Sequence, residues 1–292
     1  MKSPGRQILF ADTSLLAVAI VWGYTFVAIK DALASITPFN FIAVRFVISL
    51  LLLCIIFWKS LRAITRSEIR GGVVIGLFLF LAYSFQTTGL KYTTASNAGF
   101  ITGFSVVLVP VFSAILLKSK PEPESIAGVI LAAVGLFLLS YNGSFSFNKG
   151  DLLVLLCAIS VAFHILTVGY YSRKSSAVRI TIVQIATVTL LSLLCALFFE
   201  QPQVPAGQTV WGALIITSVF ATVGAYLVQN TMQRFTSPTH TALIFSGEPV
   251  FAGIFGYWLL GEKLVLSAVI GCGLILAGMC ISELKIFPRK YE

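Results

Sequence analysis

Residues 152–167 read LLVLLCAISVAFHILT, and this stretch decides the class of fold to which the chain belongs. The run lacks the alternation of polar and apolar residues that marks a membrane β-strand, and residues 270–282 form a second run of the same kind. A segment that crosses the hydrocarbon must satisfy its own backbone hydrogen bonds, which a helix does and an open strand does not. The two runs therefore predict membrane-spanning helices.

The whole chain has the composition that such helices require. Of its 292 residues, 58% are hydrophobic and 11% are charged, whereas about 25% are charged in a typical soluble domain. A helix needs roughly 20 mostly apolar residues to cross the bilayer. We predict an all-α membrane protein of ten transmembrane helices, called spans 1 to 10. The predicted spans are residues 13–33, 39–58, 71–90, 95–117, 124–141, 150–171, 179–199, 209–232, 238–260 and 264–284.

The basic residues are distributed unequally between the two sides of this bundle. The side on which the chain begins holds 15 Lys and Arg residues in its loops and tails, and the other side holds 4. Because basic residues favour the cytoplasmic side, we expect both termini in the cytoplasm and the protein in the plasma (inner) membrane. The net charge of +9 then reflects membrane orientation, and we expect no nucleic acid partner.

The sequence lacks the motifs that hold nucleotides or metals. It contains no G-x-x-x-x-G-K-[ST] loop, no C-x-x-C pair and only two histidines. All five cysteines fall inside apolar spans, where small, polarizable side chains pack between helices. We therefore expect no cofactor and no metal, and we do not expect this chain to use ATP directly.

The strongest sign of organisation is an internal duplication. With an offset of 143, residues 92–140 align without gaps on residues 235–283, and with an offset of 139 span 1 aligns on span 6. We predict two five-helix repeats, residues 1–145 and 146–292. Because five is odd, the second repeat crosses the membrane in the opposite direction, and inverted repeats place a substrate site near the midplane between the halves. This arrangement is typical of a transporter.

Two prolines and a glycine pair mark places where helices bend or approach each other. Pro110 and Pro249 lie inside spans 4 and 9, which predicts a kink in each span. The offset of 143 does not superpose the two prolines, because it carries position 110 to position 253. Gly72 and Gly76 of span 3 predict the close approach of another helix.

Several motifs resemble those of the drug/metabolite transporter superfamily, specifically its EamA-type branch. Span 1 carries WGYTFV at residues 22–27, similar to the family's W-G-s-n-F pattern, and span 2 carries FIAVRF at 41–46, similar to a-x-R-f. Span 4 contains TASNAGFI at 94–101, and span 9 contains EPVFA at 248–252 and ends in LLGE at 259–262. The resemblance covers nearly the whole chain. It implies a 5+5 inverted repeat that exports or exchanges metabolites by alternating access.

Arg45 and Glu248 are the two fixed charges that lie deepest in apolar spans, where a charge normally faces a cavity or the bundle interior. Arg45 either anchors a substrate carboxylate or pairs with Glu248, or it has only a structural role and neutralises a helix end near Pro38. Glu248 either couples transport to protons, or its protonated carboxyl bonds a backbone carbonyl that Pro249 leaves unpaired. The offset of 143 places Ser105 opposite Glu248, and no basic residue of span 7 corresponds to Arg45. We expect the site at this asymmetry between the repeats.

Polar side chains align on single faces of several spans, so they face protein or a water-filled cavity rather than lipid. His164 shares a face with Ser160 and Thr167, and it is either hydrogen-bonded scaffolding or a titrating group. The other polar residues either bond neighbouring helices or line a cavity, where aromatic rings stack on a solute or hold a cation. The candidate substrate-binding residues are Trp22, Tyr24, Arg45, Tyr83, Gln86, Asn97, Thr102, His164, Gln184, Tyr226, Gln229 and Asn230, with Glu248 as the candidate coupling residue.

The leading hypothesis is a secondary active transporter that exports amino acids or related small metabolites by alternating access. The aromatic residues and the single buried acid favour a second hypothesis, broad-specificity efflux of aromatic or cationic compounds. A non-transporting membrane helper would not need aligned polar faces, and an enzyme would need paired carboxylates or a nucleophile with a base, which the sequence lacks. The expected partners are a small-molecule solute and the lipid bilayer, and we expect a monomer or a homodimer.

Overall fold

The computed structural model describes residues 4–93, 95–116, 118, 121–140, 148–260 and 266–283. These residues form helices, turns and loops, and no strand occurs among them. Six of their helices are long and apolar enough to cross a membrane, and three shorter apolar helices accompany them. The chain is an all-α membrane protein, as the apolar runs predict. The predicted span ends at 117, 141, 264 and 284 and the Gly261-Glu262 pair lie outside the described residues.

Ten helical spans follow one another in the predicted order. Span 1 begins at Pro4 rather than at residue 13, because an apolar run marks only the part of a helix that hydrocarbon surrounds. Spans 4, 8 and 9 are interrupted. The uninterrupted spans are Pro4–Ala32 (1), Pro38–Ile56 (2), Arg66–Gly89 (3), Pro123–Ser140 (5), Lys149–Tyr171 (6), Ala177–Phe199 (7) and Leu266–Glu283 (10). The interrupted spans are Ala95–Gly103 with Ser105–Leu116 (4), Gln208–Ser218 with the π-helix Val219–Gly224 and Ala225–Met232 (8), and Pro238–Phe245 with Glu248–Leu260 (9); short helices occur at Trp58–Leu61 and Gln233–Phe235.

The interruptions of spans 4 and 9 are at equivalent positions. Span 4 breaks at Phe104 and span 9 at Ser246-Gly247, and the offset of 143 carries position 104 to 247. The prediction that Pro249 kinks a continuous helix is wrong. Pro249 is the second residue of a new helix, where a missing N–H removes no hydrogen bond. The two repeats therefore bend in the same register, although their prolines do not.

The contacts between spans come in equivalent pairs. Span 3 packs on span 6 as span 8 packs on span 1, and span 4 packs on span 6 as span 9 packs on span 1. Spans 5 and 10 pack on each other, and so do spans 2 and 7. This pattern is that of two repeats related by a two-fold axis. Two residues related by the offset of 143, or of 139 for spans 1 and 6 and for spans 2 and 7, are called symmetry mates below.

Reciprocal glycine contacts join spans 5 and 10. A Cβ atom at Gly135 would lie 2.6 Å from the carbonyl oxygen of Gly271, and a Cβ atom at Gly278 would lie 2.6 Å from that of Gly128. Gly128 and Gly271 are symmetry mates, and so are Gly135 and Gly278. Each repeat thus presents the same backbone surface to the other, and a larger residue would separate the two helices.

Span 7 packs directly on the backbone of span 3, which confirms the close approach predicted from the glycine pair. A Cβ atom at Gly72 would lie 2.5 Å from Cβ of Val183, and one at Gly76 would lie 2.6 Å from Cβ of Thr187. The two glycines are one turn apart and face the same neighbour. The first repeat is therefore held against the second along this pair of helices.

Two carboxylates cap the first turns of spans 2 and 7. Glu200 accepts a hydrogen bond from the backbone N–H of Asn40 at 3.0 Å. Glu68 accepts one from the backbone N–H of Ser176 at 3.1 Å and pairs with Arg179 at 2.8 Å. The free N–H groups and the dipole at a helix N-terminus favour a carboxylate there. Each cap ties the span to a segment of the other repeat.

Candidate solute-binding cavity

A cavity lies between the two repeats, bordered by spans 1, 2, 3, 4, 6, 8 and 9. It holds about 1140 Å³ of atom-free space, counted out to its open end. The lining reaches Ile29 near the end of span 1, Phe41 near the start of span 2 and Leu90 just after span 3. We call the side of the bundle at which span 1 begins the N-face. The cavity extends from the middle of the bundle to the opposite face.

Apolar side chains fill the N-face half of the same bundle. Leu15 and Val18 of span 1 belong to one buried cluster with Ile165 of span 6, Ala225 of span 8 and Ala242 of span 9. All five are at most 4% exposed. We call this cluster the N-face plug. The cavity is therefore accessible from the opposite face and closed toward the N-face.

Arg45 lines the cavity and is 2% exposed. Its Nε donates to the hydroxyl of Thr222 at 2.8 Å, and its Nη2 donates to the hydroxyl of Tyr83 at 3.0 Å. Its guanidinium carbon lies 4.7 Å from the centre of the Tyr83 ring, a cation–π distance. Among the described residues, no carboxylate pairs with Arg45 and no group accepts from its Nη1. The arginine is thus fixed by neutral groups and keeps donors for a ligand.

The π-helical turn of span 8 supplies the partners of Arg45. In this turn the hydroxyl of Thr222 donates to the carbonyl of Thr217, five residues earlier, at 2.9 Å. The carbonyl of Ala221 accepts from the indole N–H of Trp22 at 2.9 Å and from Arg45 Nη2 at 3.4 Å. A π turn changes the direction of its carbonyls relative to an α-helix, and such turns are frequent at functional sites. Here it aims two oxygen atoms at one buried cation.

A pair of tyrosines lies where the two repeats meet in the cavity. Tyr83 and Tyr226 are symmetry mates, and their hydroxyl oxygens are 2.9 Å apart. Both occur in the sequence Ala-Tyr-x-x-Gln, at 82–86 and at 225–229. The centre of the Tyr226 ring lies 5.6 Å from that of Trp22 and 5.8 Å from that of His164. Aromatic edges and hydroxyls therefore surround the two-fold axis.

Glu248 lines the cavity from span 9, as the first residue of the second helix of that span. Among the described residues, its carboxylate makes no hydrogen bond and no ion pair, so the bond to a backbone carbonyl considered above is not observed there. The first turn of a helix favours a negative charge. Arg45 and Glu248 thus border one cavity, and the ion pair between them considered above is not observed among the described residues.

The other polar side chains named above as candidates either bond each other or have a buried atom without a hydrogen-bond partner among the described residues. Gln86 donates to the hydroxyl of Thr102 at 3.3 Å. His164 is 4% exposed, and its Nε2 has no hydrogen-bond partner among the described residues. Gln229 is fully buried, and its Oε1 likewise has none there. A buried polar atom without a partner is costly, so both atoms are suited to a ligand or to water.

Nine of the thirteen candidate residues lie together on the cavity wall, three others are described and do not line it, and the side chain of one is not described. Tyr24 packs edge-on against Phe255 at 5.4 Å between ring centres. Asn230 donates to Gln184 at 3.2 Å in a buried contact between spans 7 and 8. The side chain of Asn97 lies outside the described residues. The nine that line the cavity are Trp22, Arg45, Tyr83, Gln86, Thr102, His164, Tyr226, Gln229 and Glu248.

The structure also places residues in the site that the sequence reasoning missed. Thr222 and Ala221 hold Arg45, and no sequence signal identified them, because the π turn reads as ordinary apolar helix. Cys157 lines the cavity beside Thr102, although its apolar setting indicated helix packing alone. Thr25 could have been found, because it is the symmetry mate of His164 and also lines the cavity.

A membrane protein built of two inverted repeats around a cavity that opens to one face belongs, as a class, with the membrane transporters. The EamA-like transporter family matches this chain twice, over residues 9–141 and over residues 148–283. The chain belongs to the EamA-like transporter family. This confirms the resemblance seen in the motifs of spans 1, 2, 4 and 9.

Individual relatives support the same assignment. An uncharacterized transporter of Archaeoglobus fulgidus is 39% identical over 283 residues, which cover 97% of this chain and 88% of that protein. The uncharacterized transporter YyaM of Bacillus subtilis is 26% identical and covers 95% of this chain and 95% of its own length. A crystal structure of a protein with 20% identity covers 94% of this chain and 98% of its own, with a TM-score of 0.78. That structure shares the fold.

Proposed function

We propose that this chain is a secondary active transporter that exports amino acids or related small zwitterionic metabolites by alternating access. The observation that carries the proposal is the pair Arg45 and Glu248, which border one cavity without pairing. Arg45 binds the carboxylate of the solute, because a guanidinium matches a carboxylate with two parallel hydrogen bonds. Glu248 binds the ammonium group or, in its absence, a proton.

The rest of the cavity wall suits such a solute. The rings of Trp22, Tyr83 and Tyr226 form an apolar wall beside the two charges. His164 Nε2 and Gln229 Oε1 offer hydrogen bonds to the polar groups of the solute or to its water. Small-solute sites combine mostly apolar walls with a few placed polar groups. The candidate residues that do not line the cavity, Tyr24, Gln184 and Asn230, hold the wall in place.

The repeat symmetry supports two alternating states. Residues of the N-face plug have symmetry mates that line the open cavity. The mate pairs are Val18 and Cys157, Ala225 and Ala82, and Ala242 and Gly99. If the two repeats exchange their conformations, the mates close the opposite face and the plug residues line a cavity open to the N-face. A single site between the repeats is then exposed to each face in turn.

The proposal also includes the orientation of the chain in the membrane and the coupling of transport to protons or to exchange. The excess of basic residues on the N-face supports a cytoplasmic orientation of that face in the plasma (inner) membrane. The conformation described here then faces the exterior. Glu248 couples transport to protons or to exchange, because solute ammonium and proton compete for one carboxylate. The site returns to the cytoplasm with a proton on Glu248 or with a second solute bound, which completes the cycle.

A second candidate, the efflux of aromatic cations, is favoured by one observation. Six aromatic residues (Trp22, Phe26, Phe41, Tyr83, Tyr226 and Phe245) and, among the described residues, one carboxylate border the cavity, and rings and a carboxylate together bind organic cations. In that case Arg45 would serve only to fix the Tyr83–Tyr226 pair. The first candidate predicts that a carboxylate on the solute strengthens binding, and the second predicts that it weakens binding.

Matched analogues test the two candidates. The protein in lipid nanodiscs is melted with phenylalanine, with 3-phenylpropanoate, which lacks the amine, and with phenethylamine, which lacks the carboxylate. Leucine, 4-methylpentanoate and 3-methylbutylamine form a second set. A ligand that binds the folded state raises the melting temperature by mass action. Because a charge-assisted hydrogen bond contributes roughly 1.5–3 kcal/mol, we expect each amino acid to bind at least about 10-fold more tightly than either analogue.

Counterflow in proteoliposomes then tests transport of the solute that binds. Uptake of labelled amino acid against a preloaded unlabelled pool supports the proposal. Tighter binding of phenethylamine than of phenylalanine would favour cation efflux. Failure of all these solutes and of a wider metabolite panel to bind or exchange would refute both candidates.

A further inference from the structure

Two glutamines form a hydrogen-bonded chain from the cavity into the N-face plug. Gln229 Nε2 donates to Gln233 Oε1 at 3.2 Å, and Gln233 Nε2 donates to the backbone carbonyl of Ile165. Both glutamine residues are 0% exposed. Gln229 lines the cavity, whereas Ile165 lies at the border between cavity and plug. The chain therefore ties the end of span 8 to span 6 on the closed side of the site.

The surroundings of Gln233 leave its amide no substitute for these bonds. Its Nε2 lies next to Gly169 of span 6, where a Cβ atom would approach it to 3.3 Å. Met232, which precedes it in the chain, packs against the plug. Burying an amide in such a place is unfavourable unless it is hydrogen-bonded. Moving span 8 away from span 6 breaks the bond to Ile165.

The opposite face has no equivalent chain. The symmetry mates of Gln229, Gln233 and Ile165 are Gln86, Leu90 and Phe26, and these three line the open cavity. When the repeats exchange conformations, Gln86 comes to the position of Gln229, but Leu90 can neither accept from it nor donate to span 1. A closed opposite face is thus held by apolar packing without the amide chain.

We propose that Gln233 is a positioning residue that latches the N-face closed and biases the transporter toward the state open to the opposite face. Gln229 belongs both to the cavity and to this latch, because its Nε2 bonds Gln233 while its Oε1 has no partner among the described residues. A solute donor on Oε1 therefore reorients the amide that the latch uses. The inference rests on the proposed alternating access.

Two cysteines that are symmetry mates report the two states. Cys157 lines the cavity open to the opposite face. Val18→Cys places a thiol at the mate position inside the plug, which water reaches only when the N-face opens. In lipid nanodiscs both faces are accessible to a small charged methanethiosulfonate, and peptide mass spectrometry measures the modification rate at each position. Val18→Cys alone is compared with Val18→Cys/Gln233→Met, since Met keeps the length of Gln and removes its hydrogen bonds.

We expect the modification rate at position 18 to be about fivefold higher in the Gln233→Met protein. The loss of one typical net hydrogen bond shifts a two-state equilibrium by about this factor. An unchanged melting temperature in nanodiscs shows that the Gln233→Met protein remains folded. Leu90→Gln, which adds an amide at the mate position, is expected to lower the Cys157 rate, and it serves as a second variant if Gln233→Met does not fold.

Two results would overturn the latch in distinguishable ways. An equal, measurable rate at position 18 with and without Gln233 means that the N-face opens but that the glutamine chain does not hold it closed. No modification at position 18 in either protein, also with the amino acid set present, means that the N-face does not open, and alternating access then fails together with the latch.

Discussion

Spans 3 and 8 correspond under the offset of 143 and share the motif Ala-Tyr-x-x-Gln, but they make different contacts with neighbouring spans. Span 3 is α-helical throughout and lets span 7 lie on the backbone of Gly72 and Gly76. In span 8 the mate of Gly76 is Val219, the first residue of the π turn. That turn holds Arg45 of span 2 through Thr222 and Ala221. The motif shared by both spans builds a symmetric pair of tyrosines, and the π turn places a charge on one side of that pair.

The comparison separates the scaffold of the transporter from its chemistry. What the repeats share produces the cavity, its two-fold axis and the pairs of residues that line or close it. What they do not share, Arg45 with its π turn and Glu248, supplies both charges on the wall. Each of the following variants removes one of these differences between the repeats.

The largest effect is expected from Arg45→Gln. Spans 2 and 7 both begin one residue after a hydroxyl residue, Thr37 and Ser176, which are 139 apart, so the mate of Arg45 is Gln184. The change gives both spans the same residue. Removing one partner of a buried, hydrogen-bonded charge pair costs roughly 2–5 kcal/mol, so we expect the affinity for phenylalanine to fall about 30-fold or more in nanodisc binding assays.

Arg45→Lys is the control for this prediction, since it keeps the charge without the planar fork. We expect it to recover only part of the affinity. Unchanged amino acid affinity in Arg45→Gln would assign the arginine a purely structural role and would leave cation efflux as the better candidate.

Glu248→Gln is expected to have the next largest effect. The change keeps the shape of the side chain and removes its charge and its exchangeable proton. Affinity for the ammonium group is expected to fall about 10-fold, since hydrogen bonds to charged groups contribute roughly 1.5–3 kcal/mol. Transport in proteoliposomes is expected to lose its dependence on pH. Ser105→Ala, at the mate position, is the matched control and should keep that dependence. A Glu248→Gln protein with the pH profile of the original would rule out coupling through this carboxylate.

Thr222→Val tests the π turn with a side chain of nearly the same shape. It leaves Arg45 Nε without its acceptor and removes the side-chain hydrogen bond to the carbonyl of Thr217. An unsatisfied buried polar group costs roughly 1–3 kcal/mol, so we expect a lower melting temperature and a severalfold weaker affinity for the amino acid. Thr222→Ser keeps the hydroxyl and is expected to restore both. Equal behaviour of the two variants would show that packing, and not the hydrogen bond, matters at this position.

The smallest effect is expected from the tyrosine pair, where the two mates should differ. Tyr83→Phe removes a bond to Arg45 as well as the bond to Tyr226, whereas Tyr226→Phe removes only the latter. We expect the affinity loss to be about threefold larger for Tyr83→Phe, because a bond to a charged group is roughly twice as strong as a neutral one. Equal losses in binding assays would mean that the pair acts as one symmetric unit and that its bond to Arg45 contributes nothing.

Much of the fold can be predicted from the sequence, because lipid imposes simple rules. Long apolar runs must be helices, and the offset of 143 relates the two repeats from the residue letters alone. The positions of the breaks in spans 4 and 9 could not be read in the same way. Pro249 suggests a kink at its own position, but span 9 breaks at Ser246-Gly247. Pro249 lies in the first turn of the next helix, where a missing N–H removes no hydrogen bond.

The site is less predictable than the fold, for a physical reason. Periodicity shows that Gln184, Gln229 and Asn230 face away from lipid, but it does not distinguish a neighbouring helix from a cavity. Asn230 and Gln184 bond each other, whereas Gln229 reaches the cavity. The π turn escapes prediction altogether, since Val219–Gly224 reads as an ordinary apolar segment of a membrane helix. Its contacts are with Arg45 of another span, which the local sequence does not reveal.

The glycine contacts between spans 5 and 10 have a consequence for the history of the chain. Gly135 against Gly271 and Gly278 against Gly128 form an isologous interface, the kind that two identical subunits make around a two-fold axis. In a dimer of two identical five-helix chains, a substitution on that surface would change both contacts at once. Fusion into a single chain lets each copy mutate alone. A single chain can therefore carry Arg45 in one repeat and Glu248 in the other, which no pair of identical subunits can do.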